Sequence, residues 1–182
     1  MKTVRTFVTW ATGLLCVVTL LTPHAMAQQN PKLSDAEVAS VAVVANLIDI
    51  DNAKIAQERS KDTDVLKFAE TMASDHKAVI EQAAALVKKL GVTPKDNAVS
   101  QQLQTDADKA GDMLRSKSGA AFDKAYIDHE VAYHKAVIGA VENLLIPETE
   151  NAELKELLQN VVPALQAHLE HAQMLQKQLI EK

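Results

Sequence analysis

The sequence contains few cysteine, glycine, proline and aromatic residues. Its one cysteine among 182 residues, Cys16, allows neither an intrachain disulfide nor a thiolate cluster for a metal. Leu15 stands where a lipoprotein signal has a small residue before the cysteine, so lipidation is not expected. No stretch alternates apolar and polar residues for long enough to predict a strand. Beyond residue 27, most of the few glycines and prolines fall where a helix would begin or end.

Motifs of the common enzyme classes are also missing. The chain has no Gly-rich phosphate loop, no Cys-x-x-Cys pair, no His-Glu-x-x-His sequence and no Ser-His-Asp order. Nothing therefore indicates a standard hydrolase, kinase or metalloprotease. Beyond residue 27 the chain carries 17 basic and 24 acidic residues, a net charge of −7. This acidic balance argues against nucleic acid or an anionic membrane surface as a partner.

Residues 1–27 have the pattern of a cleaved signal peptide. Lys2 and Arg5 precede an apolar run over 7–21, and the segment ends in Ala-Met-Ala. The run is shorter than the ~20 apolar residues that a membrane span needs. We therefore expect cleavage at the end of this segment and export to the periplasm without membrane insertion. Residues 28–182 are then long enough for one soluble domain with a core of its own.

Apolar residues in the rest of the chain recur at spacings of three and four. This periodicity predicts helices over about 34–59, 62–90, 94–116, 119–146 and 150–181. Ser34 with Glu37 forms a capping-box pattern, and Thr93-Pro94 places a cap before a helix-starting proline. Short connections join the first helix to the second and the fourth to the last, so the two helices of each pair are expected to be antiparallel. The sequence therefore predicts an all-α, up-down-up-down four-helix bundle, with 94–116 as an additional connecting helix.

Three of the predicted apolar seams are each interrupted once, and each time by a histidine. The interrupting residues are His76 in the second helix, His134 in the fourth and His168 in the last. Helix lengths measured from the short connections place the three within about two helical turns of one another. The three imidazoles are therefore free to meet at one level of the bundle.

The first helix contributes a carboxylate, but two seams through it are equally apolar. One seam passes through Ile48, Asp51 and Ile55, and Asp51 is its only polar residue. Asp49 lies two residues before Asp51. The other passes through Ile48 and Asn52 and leaves Asp51 on the flank. Either Asp49 or Asp51 is thus a candidate to join the histidines.

A shared transition metal would explain three histidines in one core. An unpartnered buried polar group costs about 1–3 kcal/mol, and a metal bound by three imidazoles and a carboxylate would satisfy all of them together. Zinc, copper, iron or manganese could use such a set. The alternative is three separate core histidines, each hydrogen-bonded to a neighbouring side chain or carbonyl.

Other polar residues lie near these seams. In the metal interpretation Asp75 and Glu130 would support the ligands, and otherwise they would be solvated charges. His129 belongs to an aromatic flank that we expect to pack on helix 94–116. His171 is an alternative ligand beside His168, although a solvated position is expected for it.

These residues resemble those of a large family of exported bacterial proteins of unknown function, often labelled outer membrane proteins. The stretches that carry the resemblance are Asn46–Ala56, Val65–Ala69 with Met72 and Asp75-His76, Phe122-Asp123 with Tyr126-Ile127 and His134, and Val162–Leu165 with His168-Leu169. The resemblance implies a ferritin-like bundle in the periplasm. It leaves the biochemical role open, and the family's first-helix glutamates correspond here to Asp49 and Asp51.

Three functions follow from this pattern. The first is storage, buffering or sensing of a metal through His76, His134 and His168, with Asp49 or Asp51. The second is an envelope stress or interaction protein whose histidines only order the core. The third is a metal-dependent redox enzyme. A homodimer is compatible with each of these functions. A di-iron enzyme is disfavoured because no glutamate stands three residues before any of the three histidines, and a protein that is not an enzyme is expected.

Overall fold

The structure, a computed structural model, describes residues 32–181 and is helical throughout, with no strand in that range. Its elements are α1 (Asp35–Arg59), α2 (Thr63–Leu90), α3 (Ala98–Arg115), α4 (Gly119–Ala140), a π-helical turn (Val141–Leu145), α5 (Ile146–Glu148) and α6 (Ala152–Glu181). The predicted all-α class is confirmed. The predicted signal peptide, 1–27, lies outside the described residues. Between residues 32 and 181, no helix has both the length and the apolar composition needed to cross a bilayer.

Side-chain caps fix the helix ends that position the core. Ser34 and Glu37 form the expected capping box at the start of α1. The predicted start of α3 at 94 is wrong, because the backbone N–H of Lys95 donates to Ala36 and holds this stretch against α1. Asn97 is the cap instead, and its side chain accepts from the backbone of the first turn of α3.

Four helices surround the interior. The most extensive contacts join α1 to α2 and α4 to α6, and α2 also packs on α6 and α1 on α4. The shorter α3 packs mainly on α1 and touches α4. The interior is therefore bounded by α1, α2, α4 and α6, with α3 as a fifth long helix.

The apolar interior consists of two clusters. The aromatic core contains Val65, Phe68, Met72, Leu114, Phe122, Tyr126, Ile127, Val131, Ala172 and Leu175, among others. The aliphatic core contains Leu33, Val38, Val41, Val141, Leu145, Leu154, Leu158 and Leu165. Along α6, His168 lies between Leu165 of the aliphatic core and Ala172 of the aromatic core. The histidine seams thus pass through the boundary between the two cores.

Candidate metal centre

Four helices together place five titratable side chains at this boundary. Asp49 comes from α1, His76 from α2, Glu130 and His134 from α4, and His168 from α6. None of these five residues is more than 7% exposed, although all carry polar side chains. Residues of these types are seldom fully buried without partners. The site is therefore a polar cluster enclosed in an apolar interior.

The three histidine rings form a nearly equilateral triangle. Ring centroids are 5.7 Å apart for His76 and His134, 5.3 Å for His76 and His168, and 5.5 Å for His134 and His168. Each histidine offers one ring nitrogen, and the three nitrogens lie within 4.8 Å of one another. His134 and His168 lie at least 58 positions after His76 in the sequence, and the fold brings the three rings together. The seam analysis allowed this convergence.

The tautomer of His76 is fixed by a chain of hydrogen bonds from α1. Asn46 Nδ2 donates to the Ala42 carbonyl at 2.8 Å, which leaves Asn46 Oδ1 to face His76. His76 Nδ1 donates to that oxygen, also at 2.8 Å. The proton is therefore on Nδ1, and Nε2 presents a lone pair.

The other two histidines are held in the same manner. His134 Nδ1 donates to the Glu130 carbonyl at 3.1 Å, one turn earlier in α4. His168 Nε2 donates to Asp75 Oδ2 at 2.9 Å. Lone pairs then remain on His134 Nε2 and His168 Nδ1. Metal-binding histidines are typically oriented in this way, with the second ring nitrogen donating to a carboxylate or carbonyl.

The remaining ring nitrogens have no hydrogen-bond partner. Within residues 32–181, His76 Nε2, His134 Nε2 and His168 Nδ1 are all buried and unbonded. Burial lowers the pKa of His76 to about 3 and that of His134 to about 4. Both rings are therefore neutral at physiological pH, which is the form that binds a metal.

Asp49 is the carboxylate closest to the triangle. Its Oδ2 lies 3.2 Å from His76 Nε2 and 3.6 Å from His134 Nε2. Burial raises the pKa of Asp49 to about 7, because an isolated carboxylate is poorly solvated there. A cation placed among these atoms would favour the ionised form. Asp49 can therefore act as a fourth ligand.

Glu130 is buried next to Asp49 and His134, and the three could hold a cation between them. One ligand atom from each of these residues lies within 4.8 Å of the other two. Burial, and secondarily the charge of Asp49, raises the pKa of Glu130 well above its usual range. The alternative of a solvated charge at Glu130 is wrong. Its spacing of four residues from His134 was the available signal, since both then lie on one face of α4.

Asp51 lies away from the cluster. Its side chain is 65% exposed and pairs with Lys54 at 2.8 Å. Two residues along an α-helix correspond to about 200° of rotation, so Asp49 and Asp51 cannot both face the interior. The seam through Asn52 is the one that the fold uses, and Asn52 is buried.

The remaining candidates take supporting or separate positions. Asp75 is half exposed and holds His168 from the rim of the site. His129 accepts a hydrogen bond from Asn52 Nδ2 at 3.1 Å and stacks on Tyr133. His171 lies against Phe68 in the aromatic core, so it is neither a ligand nor fully solvated.

Comparison with known proteins identifies the family of the chain. No curated protein and no solved structure matches it. Residues 20–175 match a family described as a domain of unknown function, DUF4142. This match includes all five residues of the buried cluster. Because the match extends over most of the sequence, the chain belongs to the DUF4142 family.

Proposed function

We propose that the protein binds one transition-metal ion through His76, His134 and His168, with Asp49 as the fourth ligand, and thereby stores, buffers or senses the metal. One observation carries the proposal. Each imidazole is oriented by a hydrogen bond at one nitrogen while its other nitrogen is buried and unbonded, and each of the three rings brings one nitrogen within 4.8 Å of the others. Three separate core histidines would each be expected to find a second partner.

The energetics favour a shared ligand over three independent residues. Each unsatisfied buried nitrogen costs about 1–3 kcal/mol, and the three costs would be removed together by one coordinated ion. Imidazole with a carboxylate suits zinc, copper and iron, and the donor set does not choose among them. Neutral rings and one ionised carboxylate leave part of the charge of a divalent cation uncompensated. The nearby Glu130 carboxyl is able to supply the rest.

The proposal includes a location and a finer fold. The segment over residues 1–27 supports export to the periplasm, because its charge and apolar pattern are those of a signal peptide. Short connections between α1 and α2, and the neighbouring positions of α4 and α6, support a ferritin-like up-down-up-down bundle. A binding role without catalysis is proposed because the donor set alone accounts for the site.

Coupling between the histidines tests the proposal. We would measure zinc, copper and ferrous iron binding by calorimetric titration of untagged protein, using His76→Ala, His134→Ala, His168→Ala and their pairs. Each single substitution should abolish most of the affinity, and a second should add little, because the residues act as one site. His171→Ala is the matched control, since it removes a histidine outside the triangle, and it should bind as the wild type does.

The interaction-protein alternative predicts the opposite pattern. Separate core histidines would destabilise the fold by roughly additive amounts whether or not metal is present. Unchanged metal affinity in His134→Ala and His168→Ala would end the shared-site proposal. The histidines would then be structural residues of a protein that acts by binding other envelope components.

A further inference from the structure

A cavity of about 430 Å³ adjoins the histidine cluster on the side of the aliphatic core. Its polar end is formed by Asp49, His76 and His168. Its apolar walls come from α1, α2, α3, α4, α6 and the π-helical turn, and include Val41, Leu145, Leu158 and Leu165. The volume is within the range of about 300–1,000 Å³ that small-molecule sites occupy. The cluster therefore faces a space that is large enough for a ligand.

The cavity is long and narrow. Its lining extends from His76 to Val87 along α2 and from Leu154 to His168 along α6. Since an α-helix rises about 1.5 Å per residue, the two stretches are roughly 16 and 21 Å long. A volume of 430 Å³ spread evenly over that length corresponds to a channel about as wide as one alkyl chain.

The distribution of residue types along the cavity is asymmetric. Most other lining residues are small or aliphatic, as at Ala42, Ala83 and Val161, and the charged Asp106 of α3 is exposed. Phe68, Phe122 and Tyr126 belong to the aromatic core and do not line the cavity, whose one large aromatic side chain within the described residues is that of Tyr133, next to His134 on α4. Val141 and Leu145, at either end of the π-helical turn, also line the cavity. Such turns often accompany functional sites.

We propose that this cavity binds one unbranched alkyl chain whose carboxylate lies at the histidine cluster. The aliphatic, slender part matches the chain, and the polar end matches a single head group. The head-group part rests on the proposed function, since a metal ion held by the three imidazoles would supply the positive charge that attracts a carboxylate. The protein would therefore take a metal and a fatty-acid-like amphiphile at adjoining positions.

Binding of saturated fatty acids to the zinc-loaded full protein tests this inference. Calorimetric titration with octanoate, decanoate and dodecanoate should show affinity that rises about fourfold for each added methylene, as expected when each is buried in an apolar channel. Acetate should not bind measurably. No dependence on chain length, or no binding of dodecanoate at all, would overturn the inference.

Substitutions that fill the cavity provide a second test of the inference. Ala83→Leu places three extra carbons in the channel and should weaken dodecanoate binding by at least about tenfold. Ala42→Leu, on α1, should act in the same direction, because Ala42 also lines the cavity. Ala84→Leu is the matched control, because Ala84 is the next residue of α2 and is exposed. Equal dodecanoate affinity in Ala83→Leu and Ala84→Leu would overturn the inference.

Zinc stoichiometry, measured on every variant, separates the two proposals. Retained zinc binding in Ala83→Leu and Ala42→Leu shows that the four ligand-bearing helices are still assembled. Zinc bound without dodecanoate overturns the alkyl-chain inference and leaves the metal proposal standing. If zinc fails to bind, the proposed function fails by itself, and the effect of Ala83→Leu on dodecanoate still decides whether a chain occupies the cavity.

Discussion

Asp75 on α2 accepts a hydrogen bond from His168 on α6, with 2.9 Å between Asp75 Oδ2 and His168 Nε2. The bond joins two helices through residues 93 positions apart, and it is made at the rim of an otherwise buried cluster. Its consequence is chemical as well as structural. By holding the proton on Nε2, Asp75 leaves the lone pair of Nδ1 available inside the site.

Removing this carboxylate should weaken metal binding without removing a ligand. Asp75→Ala is expected to lower zinc affinity about 10–100-fold, as losses of supporting hydrogen bonds to metal-bound histidines do. Asp75→Asn should retain most of the affinity, because its amide oxygen still accepts from Nε2. Competition against a zinc chelator would measure both.

The control for Asp75 is Asp51→Ala. Asp51 is the other carboxylate considered from the sequence, and it pairs with Lys54 on the surface. Its removal should leave zinc affinity unchanged. A loss as large as that of Asp75→Ala would mean that the site uses the alternative seam of α1.

Metal affinity should depend on pH through Asp49. Burial raises the pKa of this carboxyl to about 7 in the metal-free protein, so a metal ligated by Asp49 must displace a proton below that pH. Affinity should therefore rise with pH and level off above about 8. At pH 6 it should be about tenfold weaker than on that plateau, since about one molecule in ten is ionised.

His76 and His134 contribute little to this pH dependence. The pKa of His76 is lowered to about 3 and that of His134 to about 4, so both rings stay neutral well below the value near 6.5 of a free imidazole. Asp49→Asn should bind zinc more weakly and lose the dependence between pH 6 and 8. A dependence that survives Asp49→Asn would show that another group releases the proton.

The two cores should respond differently to truncation. Leu114 is fully buried in the aromatic core, and Leu114→Ala should cost about 4–5 kcal/mol of unfolding free energy because a new cavity is created. Leu165 already borders the 430 Å³ cavity. Leu165→Ala should therefore cost less, about 2–3 kcal/mol of unfolding free energy. This value is at the lower end of the range of about 2–5 kcal/mol for Leu→Ala substitutions in protein cores.

Urea unfolding of the metal-free protein would compare the two variants. Lys177→Ala is the control, because Lys177 is exposed on α6, and it should change the free energy by less than about 0.5 kcal/mol. Equal costs for Leu114→Ala and Leu165→Ala would indicate that both cores are packed to the same density.

The sequence predicted the histidines because their spacing is set by helix periodicity alone. His76, His134 and His168 each occupy a position that an apolar residue would otherwise take, and the packing of four helices brings those positions together. The choice between Asp49 and Asp51 was not predictable, since both seams of α1 are equally apolar. It is decided by tertiary contacts, such as the hydrogen bond between Asn52 and His129.

Other features depend on contacts that a linear pattern does not contain. The start of α3 is set by Asn97 and by the bond from Lys95 to Ala36, which outweigh the local signal at Thr93-Pro94. Burial of Glu130 follows from the position of α4 in the assembled interior. The cavity depends on side-chain volumes from five helices that pack together only in the folded protein. The ferritin-like arrangement and the signal peptide stay predictions.

Diffraction from zinc-soaked crystals at the zinc absorption edge tests the central claim most directly. The account predicts one anomalous peak inside the triangle, about 2.0–2.1 Å from His76 Nε2, His134 Nε2 and His168 Nδ1, with Asp49 Oδ2 at a similar distance. That result requires the ring nitrogens to approach one another from their present separations of up to 4.8 Å. Zinc bound only at surface carboxylates, with ordered waters hydrogen-bonded to the three ring nitrogens, would contradict the account.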